Sequence, residues 1–108
     1  MHGMVLNAAL LVTYVVISSL GLYALKIANG TIGIGFLIGL AFYGGGFLVW
    51  YGLLARMPLS VAFPLAAGSL VIATQIVGAV FLGENLHLAH LGGIALIVAG
   101  IAVVFVEA

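Results

Sequence analysis

The sequence predicts an all-α membrane protein with four transmembrane helices. Hydrophobic residues make up 67% of the 108 residues and charged residues 4%, whereas soluble domains are roughly 25% charged. Three short polar breaks divide the chain into apolar stretches, each supplying the ~20 residues that a helix needs to cross a bilayer. These predicted spans form a single domain, 1–108, and cover residues 4–25, 31–55, 59–82 and 88–106.

The composition excludes several other classes of protein. A membrane-spanning barrel strand alternates apolar and polar residues, and residues 61–80 show no such alternation. With only two Lys and Arg residues there is no basic patch for nucleic acid. Cysteine is absent, which excludes disulfides and thiolate metal sites. We expect no metal, no cofactor and no nucleic-acid partner.

The few charges give no preference for one orientation in the membrane. Four spans place Lys26 and Glu84 on one side, and Arg56 and Glu107 on the other. Because Lys and Arg normally set orientation, one on each side is compatible with dual topology and an antiparallel homodimer. The alternative is that single charges count for little, and that a partner or the lipid decides. A four-helix chain is too thin to enclose a solute path, so we expect a half-transporter that dimerises.

Polar residues of the first helix fall on one face. Tyr14, Ser18 and Gly21 recur at helical spacing. Three hydroxyl groups in the middle of this helix would be poorly placed facing lipid, which favours a face that lines a cavity. The alternative is that the hydroxyls form hydrogen bonds with their own helix.

The second helix is rich in glycine. Gly35 and Gly39 form a small-xxx-small pair, and the run 44–46 predicts a bend or a close helix crossing. Trp50 lies near the helix end, where interfacial anchoring is the ordinary explanation.

The third helix begins after Pro58 and places Pro64, Gly68 and Gln75 on one face. This combination is typical of a deformable helix at a binding site. Gln75 can equally bind a neighbouring helix through its amide.

The last loop and helix offer a packing seam rather than a metal site. Glu84, His87 and His90 lack a fourth ligand, and we interpret them as solvated interfacial groups. Gly93, Ile97 and Gly100 form a small-residue face that predicts a dimer contact.

The chain resembles the small four-span branch of the drug/metabolite transporter superfamily along nearly its full length. The resemblance is carried by Leu-Lys-Ile-Ala-Asn-Gly at 25–30, Ala-Arg-Met-Pro at 55–58, Val-Ala-Phe-Pro at 61–64, Gly-Glu-Asn at 83–85 and the glycine pattern of 92–100. Small multidrug resistance proteins in this branch exchange cations for protons on a glutamate of the first helix. The matching position here is Ser18, which cannot perform that exchange.

A second subfamily is the more similar one. It comprises paired flippase subunits that move aminoarabinose on undecaprenyl phosphate across the bacterial inner membrane. It lacks the glutamate, has a tryptophan placed like Trp50 eight residues before Pro58, and has an aromatic-Pro step like Phe63-Pro64.

This resemblance implies a membrane transporter subunit without enzyme activity. Its substrate would be a lipid-linked or amphipathic solute, and its partner either a second copy or a paralogue. Lys26 and Arg56 would receive a lipid phosphate on the two faces, although both residues also suit ordinary snorkelling anchors. The open alternatives are an exporter of cationic or guanidinium compounds and a non-transporting partner subunit. The expected groove-lining residues are Tyr14, Ser18, Trp50, Phe63, Pro64, Gly68 and Gln75.

Overall fold

The computed structural model describes residues 2–107, which form four long apolar helices. Helix α1 is His2–Ala28, α2 is Ile34–Arg56, α3 is Leu59–Ile76 and α4 is Leu88–Glu107. A π-helical turn, Val77–Phe81, continues α3 directly. The predicted all-α class with four long apolar helices is confirmed, and residues 2–107 contain no strand.

The helix ends follow from local backbone chemistry. Asn29 and Gly30 adopt positive φ values of 53° and 80°, which end α1 in a left-handed turn. Pro58 precedes the first residue of α3, and its carbonyl accepts the backbone N–H of Ala62 at 2.8 Å. Helix α3 continues through Pro64. These turns keep the connections short and the four helices close together.

The interior is built from small residues, as expected where lipid supplies no hydrophobic driving force between helices. Leu53, Ala62 and Ala66 are its most buried apolar residues. Large apolar side chains instead point outward, for example Leu48 at 70% and Leu96 at 76% exposure. Their outward orientation suits a surface that faces lipid.

Glycines bring α1 and α2 into close contact. A Cβ atom at Gly21 would lie 2.7 Å from the backbone nitrogen of Tyr43, and one at Gly39 would overlap the side chain of Leu25. A Cβ at Gly46 would collide with Ser18 Oγ, whereas one at Gly44 would meet nothing within 4 Å. Of the two predicted alternatives, a bend or a close crossing, the glycine run therefore provides a close crossing. Gly46 lies in that crossing and Gly44 does not.

Helix α4 packs on α3, and its residues 88–106 include no buried one. Its half-buried positions, Ile94, Val98 and Ile101, recur at helical spacing. Ile101 lies against Gly68 of α3, where a Cβ atom would overlap its side chain. The other positions of 88–106 are exposed.

Candidate substrate-binding site

Three aromatic side chains from three helices form the centre of the candidate site. The ring centroids of Tyr14 in α1 and Trp50 in α2 are 6.1 Å apart. Trp50 and Phe63 in α3 are 5.9 Å apart in an edge-on arrangement. These distances lie within the range of favourable aromatic pairs. The structure therefore brings together three of the residues selected from the sequence, far apart in the chain.

This aromatic cluster borders a cavity of about 400 Å³ between α1, α2 and α3, which we call the aromatic cavity. An adjoining pocket of about 290 Å³ shares Tyr14 and Trp50 and adds Ser18. The walls are mainly apolar, with hydroxyl groups of Tyr14, Tyr43 and Thr74. Such a mixture of aromatic surface and a few hydroxyls suits a sugar-like or amphipathic molecule.

Ser18 is almost wholly buried, with 1% of its surface exposed. Its hydroxyl packs against Gly46 at the α1–α2 crossing. The residue thus lies between the pocket and the helix crossing, and it contributes to both.

The other predicted residues of α3 lie elsewhere. Gly68 packs against Ile101, and Gln75 Oε1 lies 2.7 Å from His90 Nε2, so both contact α4. Pro64 is half-buried and does not border the aromatic cavity. The contact of Gln75 with His90 agrees with the alternative that the Gln75 amide binds a neighbouring helix. It also gives His90 a side-chain partner, whereas the sequence suggested a solvated group.

The opposite face of α3 borders the cavity instead. Phe63, Ala67, Leu70 and Thr74 recur at helical spacing and line it. Sequence reasoning missed Tyr43 and Thr74. The available signals were the seven-residue spacing of Tyr43 from Trp50 and the position of Thr74 on the Phe63 face.

The two cations lie at different ends of the molecule. Arg56 ends α2, and its Nε donates a hydrogen bond to Asn7 Oδ1 of α1 at 2.6 Å. Lys26 lies in the last turn of α1 and borders a cavity of about 290 Å³ together with Glu84. We call it the Lys26 cavity. It shares Leu22 and Thr74 with the aromatic cavity, so the two cavities are neighbours.

The predicted dimer face lies free on α4. Gly93 and Gly100 are exposed, and a Cβ atom at either would meet no atom within 4 Å. Ile97 between them is 46% exposed. Within residues 2–107, no group of three His, Cys, Asp or Glu side chains comes close enough together to hold a metal ion.

Comparison with known proteins finds sequence similarity to bacterial flippase subunits. The chain is 41% identical over 59 residues to a probable 4-amino-4-deoxy-L-arabinose-phosphoundecaprenol flippase subunit ArnE of Pseudomonas fluorescens, covering 55% of this chain and 51% of that protein. It is 41% identical over 58 residues to the protein of the same name in Yersinia pseudotuberculosis, covering 54% and 50%. The chain is similar to ArnE-type flippase subunits.

The similarity has a defined extent. The chain spans about half the length of the curated relatives that it matches. No protein-family model and no solved structure matches it. A small four-span transporter fits both the relatives and the four apolar helices, and together they point to a multi-pass protein of the bacterial inner membrane.

Proposed function

We propose that this chain is a subunit of a flippase that moves a lipid-linked sugar, carried on a polyprenyl phosphate, between the leaflets of the bacterial inner membrane. The observation that supports the proposal is the adjacency of the aromatic cavity and the Lys26 cavity, which share Leu22 and Thr74 and which we interpret as one path. The similarity to flippase subunits supports it. The protein breaks no covalent bond of its substrate and is not an enzyme.

The head group travels along this path while the hydrocarbon tail stays in the lipid. Aromatic faces of Trp50 and Phe63 offer flat apolar surface to the sugar ring. Hydroxyls of Tyr14 and Thr74 replace hydrogen bonds that the sugar makes with water. Because Ser18 stands where cation exchangers of this branch carry a glutamate, the middle of the path guides the head group without exchanging a proton.

The lipid phosphate meets a cation on each face of the membrane. Lys26 supplies an ammonium on one face, and Arg56 a guanidinium on the other. Arg56 uses its Nε for Asn7, and a guanidinium has further N–H donors with which it can bind a phosphate.

A second subunit completes the transporter. Gly93, Ile97 and Gly100 form the proposed contact, because small residues permit the close approach that membrane helices use for pairing. The second subunit is another copy or a paralogue, and the balanced charges are compatible with an antiparallel arrangement.

Reconstitution tests the proposal. The full-length chain, alone and with any subunit that co-purifies with it, is placed in proteoliposomes containing a polyprenyl-phosphate sugar, and accessibility of the sugar in the outer leaflet is followed. Lys26→Ala and Arg56→Ala should each slow translocation about tenfold or more, since a hydrogen bond to a charged group contributes about 1.5–3 kcal/mol. Asn7→Ala is the control for Arg56, because it removes their mutual hydrogen bond and keeps the guanidinium. Unchanged rates in both cation variants would exclude the phosphate role.

A cation exporter is the second candidate, and the aromatic cluster is the observation in its favour. Tyr14, Trp50 and Phe63 present the ring faces that attract quaternary ammonium groups. Proton-coupled uptake of such a compound by the reconstituted chain would favour the exporter over the flippase.

A further inference from the structure

The Lys26 cavity contains the opposite charges of Lys26 and Glu84. They reach it from the end of α1 and from the loop that follows the π-helical turn. Ser19, Tyr23 and Thr74 add hydroxyl groups to its wall. A cavity with one cation, one anion and several hydroxyls is complementary to a ligand that itself carries both charges.

Backbone geometry turns the Glu84 carboxylate toward this cavity. The π-helical turn Val77–Phe81 is followed by Gly83 at a positive φ of 67°, and the backbone N–H of Glu84 donates to Gly78 O at 2.9 Å. The carboxylate then lies over Gly78, where a Cβ atom would collide with Glu84 Oε1. The absence of a side chain at Gly78 is therefore what admits the carboxylate.

Ser19 gives a second, independent indication of a ligand. Its side chain is 8% exposed and borders the Lys26 cavity. Its Oγ has no hydrogen-bond partner among residues 2–107. A buried polar group left without a partner costs about 1–3 kcal/mol, so a ligand that supplies a hydroxyl or phosphate oxygen here would recover that free energy.

We propose that the Lys26 cavity recognises a zwitterionic lipid head group, with Lys26 binding the phosphate, Glu84 binding a protonated amine and Ser19 binding an oxygen between them. This inference rests on the proposed flippase function and names the residues that select the head group. The name of the relatives contains both groups, an amino sugar and a phosphate. Glu84 supplies the one carboxylate among the residues that border this cavity, which makes it the residue that can distinguish a free amine from a blocked one.

Binding to the full-length protein in phosphatidylcholine nanodiscs tests the assignment. The two probes are a short-chain polyprenyl phosphate bearing 4-amino-4-deoxyarabinose and the same lipid with its amine acetylated. Wild-type protein should bind the lipid with the free amine at least about tenfold more tightly than the acetylated lipid. Glu84→Gln should weaken binding of the free amine roughly 10- to 100-fold and leave the acetylated lipid unchanged, while Lys26→Gln weakens both.

Gly78→Ala is the positional test, because it displaces the carboxylate and keeps every charge. It should reproduce the loss of amine selectivity, whereas Gly92→Ala, at a position with no atom within 4 Å of the new methyl group, should bind like wild type. Equal affinity of wild-type protein for the two probes, or no binding of either, overturns the inference without recourse to any variant. So does an equal effect of Glu84→Gln on both probes.

Flux of the same lipids in proteoliposomes separates this inference from the function on which it rests. Amine-selective binding without flux would refute the flippase function and leave the recognition site intact. Flux of both lipids with no selectivity for the amine would support the flippase and refute the site.

Discussion

Alanine at Gly21 should destabilise the protein more than alanine at Gly44 or Gly52. The new methyl group at Gly21 would lie 2.7 Å from Tyr43 N, 3.0 Å from Gly39 O and 3.1 Å from Tyr43 Cα. All three are backbone atoms of α2, so no side-chain rotation can relieve the contact. Carbon atoms pack best at about 3.5–4.0 Å, and α1 must therefore move away from α2 by roughly 0.5–1 Å at this point.

The expected loss of unfolding free energy follows from comparing the same substitution, glycine to alanine, at the three positions. Glycine to alanine favours the helix by about 1 kcal/mol at any interior position, and this gain is common to all three variants. Overpacking costs about 1–3 kcal/mol and applies to Gly21 alone, since alanine at Gly44 or Gly52 meets no atom within 4 Å. The difference in unfolding free energy should thus be about 1–3 kcal/mol, roughly a 5- to 150-fold change in the unfolding equilibrium.

Unfolding in mixed micelles with increasing dodecyl sulfate provides the assay. Trp50 is the single tryptophan of the chain and lies between Tyr14 and Phe63, so its fluorescence reports separation of α1, α2 and α3. If Gly21→Ala unfolds at the same detergent fraction as the Gly44 and Gly52 variants, or above it, the close crossing is not what stabilises the bundle.

Three further outcomes are expected. Trp50→Ala removes the central ring of the aromatic cluster and should slow lipid translocation about tenfold or more, whereas Leu48→Ala, on a 70% exposed side chain, should not; equal rates would exclude the cluster from the path. Leucine at both Gly93 and Gly100 should abolish subunit crosslinking without destabilising the monomer, because both positions are open within the chain and leucine favours the helix over glycine; Gly92→Leu is the off-seam control, and persistent crosslinking would place the contact elsewhere. Translocation should also proceed at the same rate with and without an imposed pH gradient, and stoichiometric proton-driven antiport would contradict the assignment of Ser18 as a neutral residue on the path.

The spans were predictable because lipid leaves the backbone few alternatives. Without water, every backbone N–H and C=O must be satisfied within the segment, so long apolar runs become helices. Hydropathy and three short breaks therefore predict α1 to α4. Trp50 and Phe63 were predictable for another reason, their resemblance to residues of a known family.

Helix rotation was the part that sequence could not predict. An amphipathic helix shows its buried face by polarity, whereas α2 and α3 are apolar on nearly all sides. The predicted site combined Phe63, which came from the family resemblance, with Gly68 and Gln75, which were chosen for their small or polar side chains. The structure places Gly68 and Gln75 against α4 and Phe63 in the aromatic cavity, because α3 packs against two neighbours at once.

Glu84 illustrates a second limit. Sequence position alone suggests a solvated loop carboxylate, and the residue as a whole is exposed. Its carboxylate nevertheless lies over Gly78, owing to a π-helical turn and a positive φ at Gly83. Residue spacing gives no sign of a π turn, because the turn depends on how α3 ends rather than on which residues are apolar.

The distribution of charge along the path bears on how two subunits are arranged. The aromatic cavity offers rings and hydroxyls and no charged side chain, and the neighbouring Lys26 cavity carries the Lys26–Glu84 pair. In an antiparallel pair each face of the membrane would carry one Lys26 cavity, so Glu84→Gln should slow inward and outward movement of an amine-bearing lipid equally. In a parallel pair both cavities would lie on one face, and the variant should slow mainly the movement that starts there. Measuring both directions in oriented proteoliposomes distinguishes the two, and unequal slowing would contradict the antiparallel arrangement.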